Sequence, residues 1–214
     1  MAVDMRIKAD GKDSVDLFSC YNNLGLLHNK KAEYKAALDY YQKALNVLMK
    51  SNKDKTAEKA KCYNNIGLVQ SKMDQTAQAL QNYNTAMEFY VRAYGHEHPE
   101  IATTHNNIGL LQVNKGNYTE GLICYEKALT IYKKYYGENH TRVALAYNNI
   151  GHLYDKKKEY QKAIEYHEKA LGIRIELFGE MNADVALSYN NLGVVYQNQK
   201  RYDEALGCHQ HAFQ

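Results

Sequence analysis

Tyr147-Asn148-Asn149-Ile150-Gly151 is the stretch that decides the fold, because close copies of it recur along the 214-residue chain. The first asparagine of each copy stands 42 residues after the previous one, at Asn22, Asn64, Asn106, Asn148 and Asn190. A fixed period of this length is typical of repeat proteins, in which each repeat buries its apolar face against its neighbours. The sequence therefore predicts one array of five repeats rather than a globular domain.

Each repeat contains two segments with the apolar spacing of an α-helix. From Tyr21 to His28 the packing positions are i, i+3, i+4 and i+7, and residues 34–45 show the same spacing. The polar stretch 29–33 between them predicts a tight turn. We therefore expect an all-α solenoid of five antiparallel helix hairpins over 1–214, with repeats at about 18–59, 60–101, 102–143, 144–185 and a truncated 186–214.

A glycine recurs inside the first helix of every repeat, although glycine costs a helix about 1 kcal/mol relative to alanine. These glycines are Gly25, Gly67, Gly109, Gly151 and Gly193. A cost that is repeated five times predicts close approach of the second helix. The matching small residues are Ala37, Ala79, Gly121, Ala163 and Ala205. Tyrosine rings should fill the space around these contacts.

Composition argues against several classes of function. A net charge of +3 is too small to predict nucleic-acid binding, and no apolar run is long enough for a membrane span. The four cysteines follow repeat columns without a C-x-x-C spacing, which favours reduced thiols in the cytoplasm over a metal or disulfide site. No nucleophile elbow, phosphate-binding loop or paired histidine and carboxylate occurs. We therefore predict no catalysis and no cofactor.

The repeat resembles the tetratricopeptide repeat. The residues that carry the resemblance are an aromatic residue before Asn-Asn-(Leu/Ile)-Gly, a tyrosine after the turn, and a later Ala-Leu pair. A period of 42 residues and the loop Tyr94-Gly95-His96-Glu97-His98-Pro99 are similar to the kinesin light chain type of this repeat. The resemblance implies a right-handed superhelix whose first helices line a concave groove.

At about 100° per residue, the face of the first helix opposite its packing side carries the asparagine pair, a leucine and a lysine. Side-chain amides offer a donor and an acceptor, so a ladder of them can hold a peptide backbone. We expect the partner to be a protein or peptide, and an acidic one because of the lysines. The candidate groove residues are Asn22, Asn23, Asn64, Asn65, Asn106, Asn107, Asn148, Asn149, Asn190, Asn191, Leu26, Leu68, Leu110, Lys30, Lys72 and Lys156.

Each of these assignments has a structural alternative. The asparagines could instead bond neighbouring first helices to each other, the leucines could pack between repeats, and the lysines could form a solvated edge. The sequence alone leaves these alternatives open. The function predicted from it is a protein-interaction scaffold that binds a partner segment in the groove.

The two ends of the sequence suggest a second function. Residues 2–7 align with residues 170–175, which predicts that residues 1–11 are the tail of a second helix. At the other end, Ala212-Phe213-Gln214 is the last stretch of the sequence, whereas the fourth repeat continues for another turn or two after the equivalent Ala170-Leu171. Because solenoids need caps over their apolar end faces, the alternative is a structural segment of a longer array that stacks end to end, with head-to-tail self-association.

Overall fold

A computed structural model describes residues 17–51 and 54–213. These residues form ten α-helices and no β-strand, which confirms the predicted all-α repeat fold. In chain order the helices are α1 (Leu17–Lys30), α2 (Tyr34–Lys50), α3 (Thr56–Lys72), α4 (Thr76–Tyr94), α5 (Pro99–Asn114), α6 (Tyr118–Tyr136), α7 (Thr141–Lys156), α8 (Tyr160–Phe178), α9 (Ala183–Asn198) and α10 (Tyr202–Phe213). The predicted partial helix 1–11 lies outside the described residues.

The same tight turn closes all five hairpins. One residue of each turn has a left-handed backbone with φ between 59° and 83°, and these residues are Ala32, Asp74, Gly116, Lys158 and Lys200. The next residue donates its N–H back across the turn, as Glu33 does to the carbonyl of His28 at 2.9 Å. This bond is that of the Schellman motif, which ends a helix by satisfying its last carbonyls.

A second type of loop joins one hairpin to the next and uses its histidines structurally. His140 is the N-cap of α7, and its Nδ1 accepts the backbone N–H of Arg142 at 3.1 Å. The same ring stacks on Tyr136, with 3.9 Å between the ring centroids. His98 caps α5 and stacks on Tyr94 in the same way. A side-chain acceptor at this position stabilises the start of a helix.

The glycine of each first helix lies against a ring of the second helix. A Cβ added at Gly25 would come within 2.6 Å of Cε1 of Tyr41, and one added at Gly109 within 2.7 Å of Cδ1 of Tyr125. The rings at this position, which we call the ring column, are Tyr41, Tyr83, Tyr125, His167 and His209. The helices therefore do approach closely at the glycines, but a ring fills the space that the missing side chain leaves.

The chain divides into two compact units, Met1–Asn107 and Ile108–Gln214. The core of the N-terminal unit contains Ala37, Tyr41, Leu48, Cys62, Ile66 and Val69. The core of the C-terminal unit contains Val113, Tyr125, Ile150, Leu153, Ile164, Leu192 and Val195. Each core lies between first and second helices of successive repeats. The repeat boundaries of a single array stay a prediction.

None of the described helices combines the length and the hydrophobicity that a bilayer span requires.

The buried thiol is Cys62, and burial raises its pKa to about 12. A thiol with so high a pKa is protonated at neutral pH and therefore a poor nucleophile.

Candidate functional site

The asparagine pairs bond successive first helices within the N-terminal unit. Nδ2 of Asn65 donates to Oδ1 of Asn22 at 3.0 Å, and Nδ2 of Asn107 donates to Oδ1 of Asn64 at 3.2 Å. Two turns further along, Nζ of Lys72 donates to Oδ1 of Asn29 at 3.0 Å. Each of these bonds joins two residues that are 43 positions apart in the sequence. The repeat period is 42, so the donor lies one position further along its repeat than the acceptor does in the preceding repeat.

The C-terminal unit repeats this arrangement between α7 and α9. Nδ2 of Asn191 donates to Oδ1 of Asn148 at 2.6 Å, and Nδ2 of Asn198 donates to Oδ1 of Asp155 at 2.9 Å. The amides therefore form the inter-helix bonds that the sequence had left as an alternative. Their role in binding a partner stays a prediction, since a side-chain amide has more than one donor and acceptor site.

Exposure differs along this face. Asn22, Asn64 and Asn65 are buried, whereas Asn23 and Asn190 are exposed. Asn23 is exposed whereas its equivalent Asn65 is buried, because α1 covers Asn65 and no described helix precedes α1. The half-buried members are Asn106, Asn107, Asn148, Asn149, Asn191, Leu26 and Leu68, and the exposed ones are Leu110, Lys30, Lys72 and Lys156.

We expect Asn22→Ala to destabilise the chain by about 1–3 kcal/mol, because it leaves the buried Nδ2 of Asn65 without its acceptor. Asn23→Ala is the matched control, since Asn23 is exposed on the same helix and should change stability by less than about 0.5 kcal/mol. Urea unfolding followed by circular dichroism measures both. Equal losses in the two variants would show that the bond between repeats contributes no stability.

An open cavity of about 510 Å³ lies on this face of the C-terminal unit, between α7 and α9. Its predicted residues are Asn148, Asn149, Asn191 and Lys156, with His152 and Val194 at the position that is leucine in the first three repeats, and the structure adds Asp155, His167, Val195 and Asn198. Val194 is 45% exposed and forms an apolar wall, while His167 is 3% exposed and lies at the floor. The cavity therefore brings amides, a carboxylate, an ammonium and two imidazoles to one surface.

The electrostatics of the cavity keep its imidazoles neutral at pH 7. The pKa of His167 is lowered to about 4, chiefly because the imidazole is buried; Asp155 opposes the shift, and the nearby His152 and Arg174 add to it. The pKa of His152 is also lowered, first by desolvation and then by Lys156. The charged groups of the lining are thus Asp155 and Lys156, which are of opposite sign.

This arrangement suits binding through hydrogen bonds. Within the described residues, no group of three or more histidine, cysteine, aspartate or glutamate side chains could hold a metal ion. The cavity instead offers closely spaced donors and acceptors beside one apolar wall, and such side chains can form several hydrogen bonds with a polar ligand.

Sequence reasoning missed the floor of the cavity. His167, Asp155 and Asn198 were not among the candidate groove residues. The signal lies in comparing columns, because three repeats have tyrosine where the last two have His167 and His209. A departure of this kind marks a repeat whose packing differs from that of the others.

Two models of the family described as tetratricopeptide repeat match the chain. One matches residues 58–113 and 100–176, and the other matches residues 17–48 and 185–214. The chain belongs to the tetratricopeptide-repeat family. A search of curated protein sequences finds no match to it.

Solved structures share the fold of this tetratricopeptide-repeat chain. BtubC (BKLC) from P. vanneervenii is 25% identical with a TM-score of 0.81, over 99% of this chain and 84% of that one. A P. anserina protein described as a kinesin light chain with nearly identical TPR-like repeats is 14% identical with a TM-score of 0.73, over 92% and 93%. A Rap protein complexed with Competence and Sporulation Factor is 20% identical with a TM-score of 0.77, over 91% of this chain but 52% of the Rap chain.

Proposed function

We propose that the chain is a protein-interaction module whose first helices bind an extended peptide segment of a partner. The observation that carries this proposal is the open cavity of about 510 Å³ between α7 and α9, lined by the side-chain amides of three repeat asparagines. An extended peptide exposes backbone N–H and C=O groups along its length, and amides complement both. Val194 provides an apolar contact for a side chain of the same segment.

The comparisons support this proposal through the fold alone. The Rap protein was solved with Competence and Sporulation Factor bound, and its fold is similar to that of this chain at 20% identity. A short peptide or an extended segment of a protein is the kind of partner that we propose for this chain. We also propose that the repeats are of the kinesin light chain type and that the protein is located in the cytoplasm.

The charge of the partner is a separate question. The lysines of the sequence favour an acidic partner, but Lys72 uses its Nζ to bond Asn29, and Lys156 lines the cavity beside Asp155. Acidic and basic peptides must therefore both be tested. The preference for an acidic partner stays a prediction.

The test is selection of a random peptide library against the full chain, followed by measurement of Kd for the enriched peptides. We expect Val194→Tyr to weaken their binding at least tenfold, because the added ring fills the cavity beside α9. Ile123→Tyr is the matched control, since Ile123 is also an exposed apolar residue of the C-terminal unit but lies on the second helix α6. Equal effects of the two variants would place the binding site elsewhere, and a library without enriched peptides would count against peptide binding.

Self-association is the second candidate function. Three apolar residues of α10, Tyr202, Leu206 and Phe213, are 63%, 58% and 94% exposed. Light scattering over a range of concentrations separates the two functions, because stacking chains grow in mass with concentration and a peptide-binding monomer does not.

A further inference from the structure

The residue type in the ring column changes from tyrosine to histidine at the fourth repeat. Tyrosine occupies it in the first three repeats, and the Tyr83 hydroxyl hydrogen-bonds with the side chain of Ser71. The position equivalent to Ser71 in the fourth repeat is Asp155. His167 lies over its glycine as the tyrosines do, but an imidazole has no hydroxyl beyond the ring. The shorter side chain therefore leaves unfilled the place that the tyrosine hydroxyl takes in the second repeat.

The floor of the cavity at this place consists of hydrogen-bond acceptors. Oδ1 of Asn148 accepts from Asn191 at 2.6 Å and lies 3.1 Å from Nδ1 of His167. A carbonyl oxygen only accepts, so Nδ1 carries the proton of the neutral ring and Nε2 is an acceptor. Among the described residues, the carboxylate of Asp155 accepts one hydrogen bond, from Asn198, and forms no ion pair.

We propose that this floor is a subsite for a cationic side chain of the bound segment, a lysine ammonium or an arginine guanidinium, which donates hydrogen bonds to Nε2 of His167 and to the carboxylate of Asp155. The inference rests on the proposed peptide-binding function and names the residue class that the cavity selects. Hydroxyl or amide donors could reach the same atoms, but a cation also gains a charge-assisted hydrogen bond with Asp155. The positive charge of Lys156 repels such a cation only weakly, because the lysine side chain is exposed and its charge is screened by solvent and salt.

Four blocked pentapeptides test the subsite, each with alanine at four positions and with lysine, arginine, norleucine or glutamate at the centre. Norleucine matches lysine in length without its charge, so the comparison isolates the ammonium group. NMR titration of the ¹⁵N-labelled full chain gives Kd from the residues that line the cavity. We expect the lysine and arginine peptides to bind at least tenfold more tightly than the norleucine peptide, and the glutamate peptide to bind most weakly.

Two variants test whether the preference for lysine over norleucine arises at the floor of the cavity. Asp155→Asn keeps an acceptor for Asn198 but removes the charge, and His167→Tyr restores the ring of the first three repeats, whose hydroxyl would occupy the subsite. In both variants the ratio of the norleucine Kd to the lysine Kd should fall to near one. Asp203→Asn, an exposed aspartate on α10, is the control and should preserve the ratio. Circular dichroism checks folding, and Asp155→Asn carries the test if His167→Tyr does not fold.

Several outcomes would overturn the inference. These are equal binding of the lysine and norleucine peptides, tightest binding of the glutamate peptide, binding of none of the four, or a lysine preference that persists in both variants. None of these outcomes decides the proposed function, which depends on library-selected peptides and on Val194→Tyr. The subsite and the groove can therefore fail separately.

Discussion

Gly109→Leu is expected to lower the free energy of unfolding by about 3 kcal/mol, the upper end of the usual cost of overpacking. Even the Cβ of the new side chain would lie 2.7 Å from Cδ1 and Cε1 of Tyr125 and 3.2 Å from the carbonyl oxygen of Gly121. Tyr125 is 1% exposed and cannot swing into solvent. The helices α5 and α6 must therefore move apart, and the contacts around both are lost.

Gly172→Leu is the matched control for this prediction. Gly172 also lies inside a helix, α8, but is exposed, and a Cβ there would meet no atom within 4 Å. The same substitution should stabilise the chain by roughly 0.5–1 kcal/mol, because leucine favours the helix more than glycine does. Urea unfolding followed by circular dichroism measures both changes. If Gly109→Leu unfolds at the same urea concentration as wild type, the close approach of ring and glycine is not what selects glycine at this position.

The sequence predicted the helix hairpins and the tight turns between them, but not the backbone conformation of those turns. A hydrophobic pattern that returns every 42 residues specifies pairs of helices independently of local detail. Of the five left-handed turn residues, Gly116 and, less strongly, Asp74 are of types that favour this conformation, while Ala32, Lys158 and Lys200 adopt it at φ of 59°, 61° and 64°. The hydrogen bonds of the motif determine the backbone there, and residue type alone does not reveal them.

The site was less predictable, because it depends on how helices of different repeats are rotated against each other. The sequence placed Asn22 and Asn65 on one face, but only the structure shows that the two amides meet at 3.0 Å. The cavity has a similar origin. It requires knowing that the ring of His167 covers Gly151 and that Asp155 and Asn198, on different first helices, meet at 2.9 Å.

The stability of the chain should fall as the pH is lowered from about 7 to 4, with His167 contributing up to about 3 kcal/mol of the loss. Burial holds the pKa of this imidazole at about 4 in the folded protein, whereas the ordinary pKa of a histidine side chain is 6.5. Between these two values the unfolded chain takes up a proton that the folded chain does not, so acid favours unfolding. Below about pH 4 both states are protonated at this position, and its contribution changes no further.

His167→Tyr isolates this contribution, because the tyrosine is uncharged throughout the acid range and is the residue of the same column in three other repeats. The groups that act on His167 besides burial, namely Asp155, His152 and Arg174, are retained in the variant. Urea unfolding of both proteins at pH 7, 5.5 and 4.5 gives the difference in stability at each pH. We expect wild type to lose stability relative to the variant steadily over this range. Parallel losses would mean that His167 ionises with an ordinary pKa, and burial would then not disfavour the charged imidazole at the floor of the cavity.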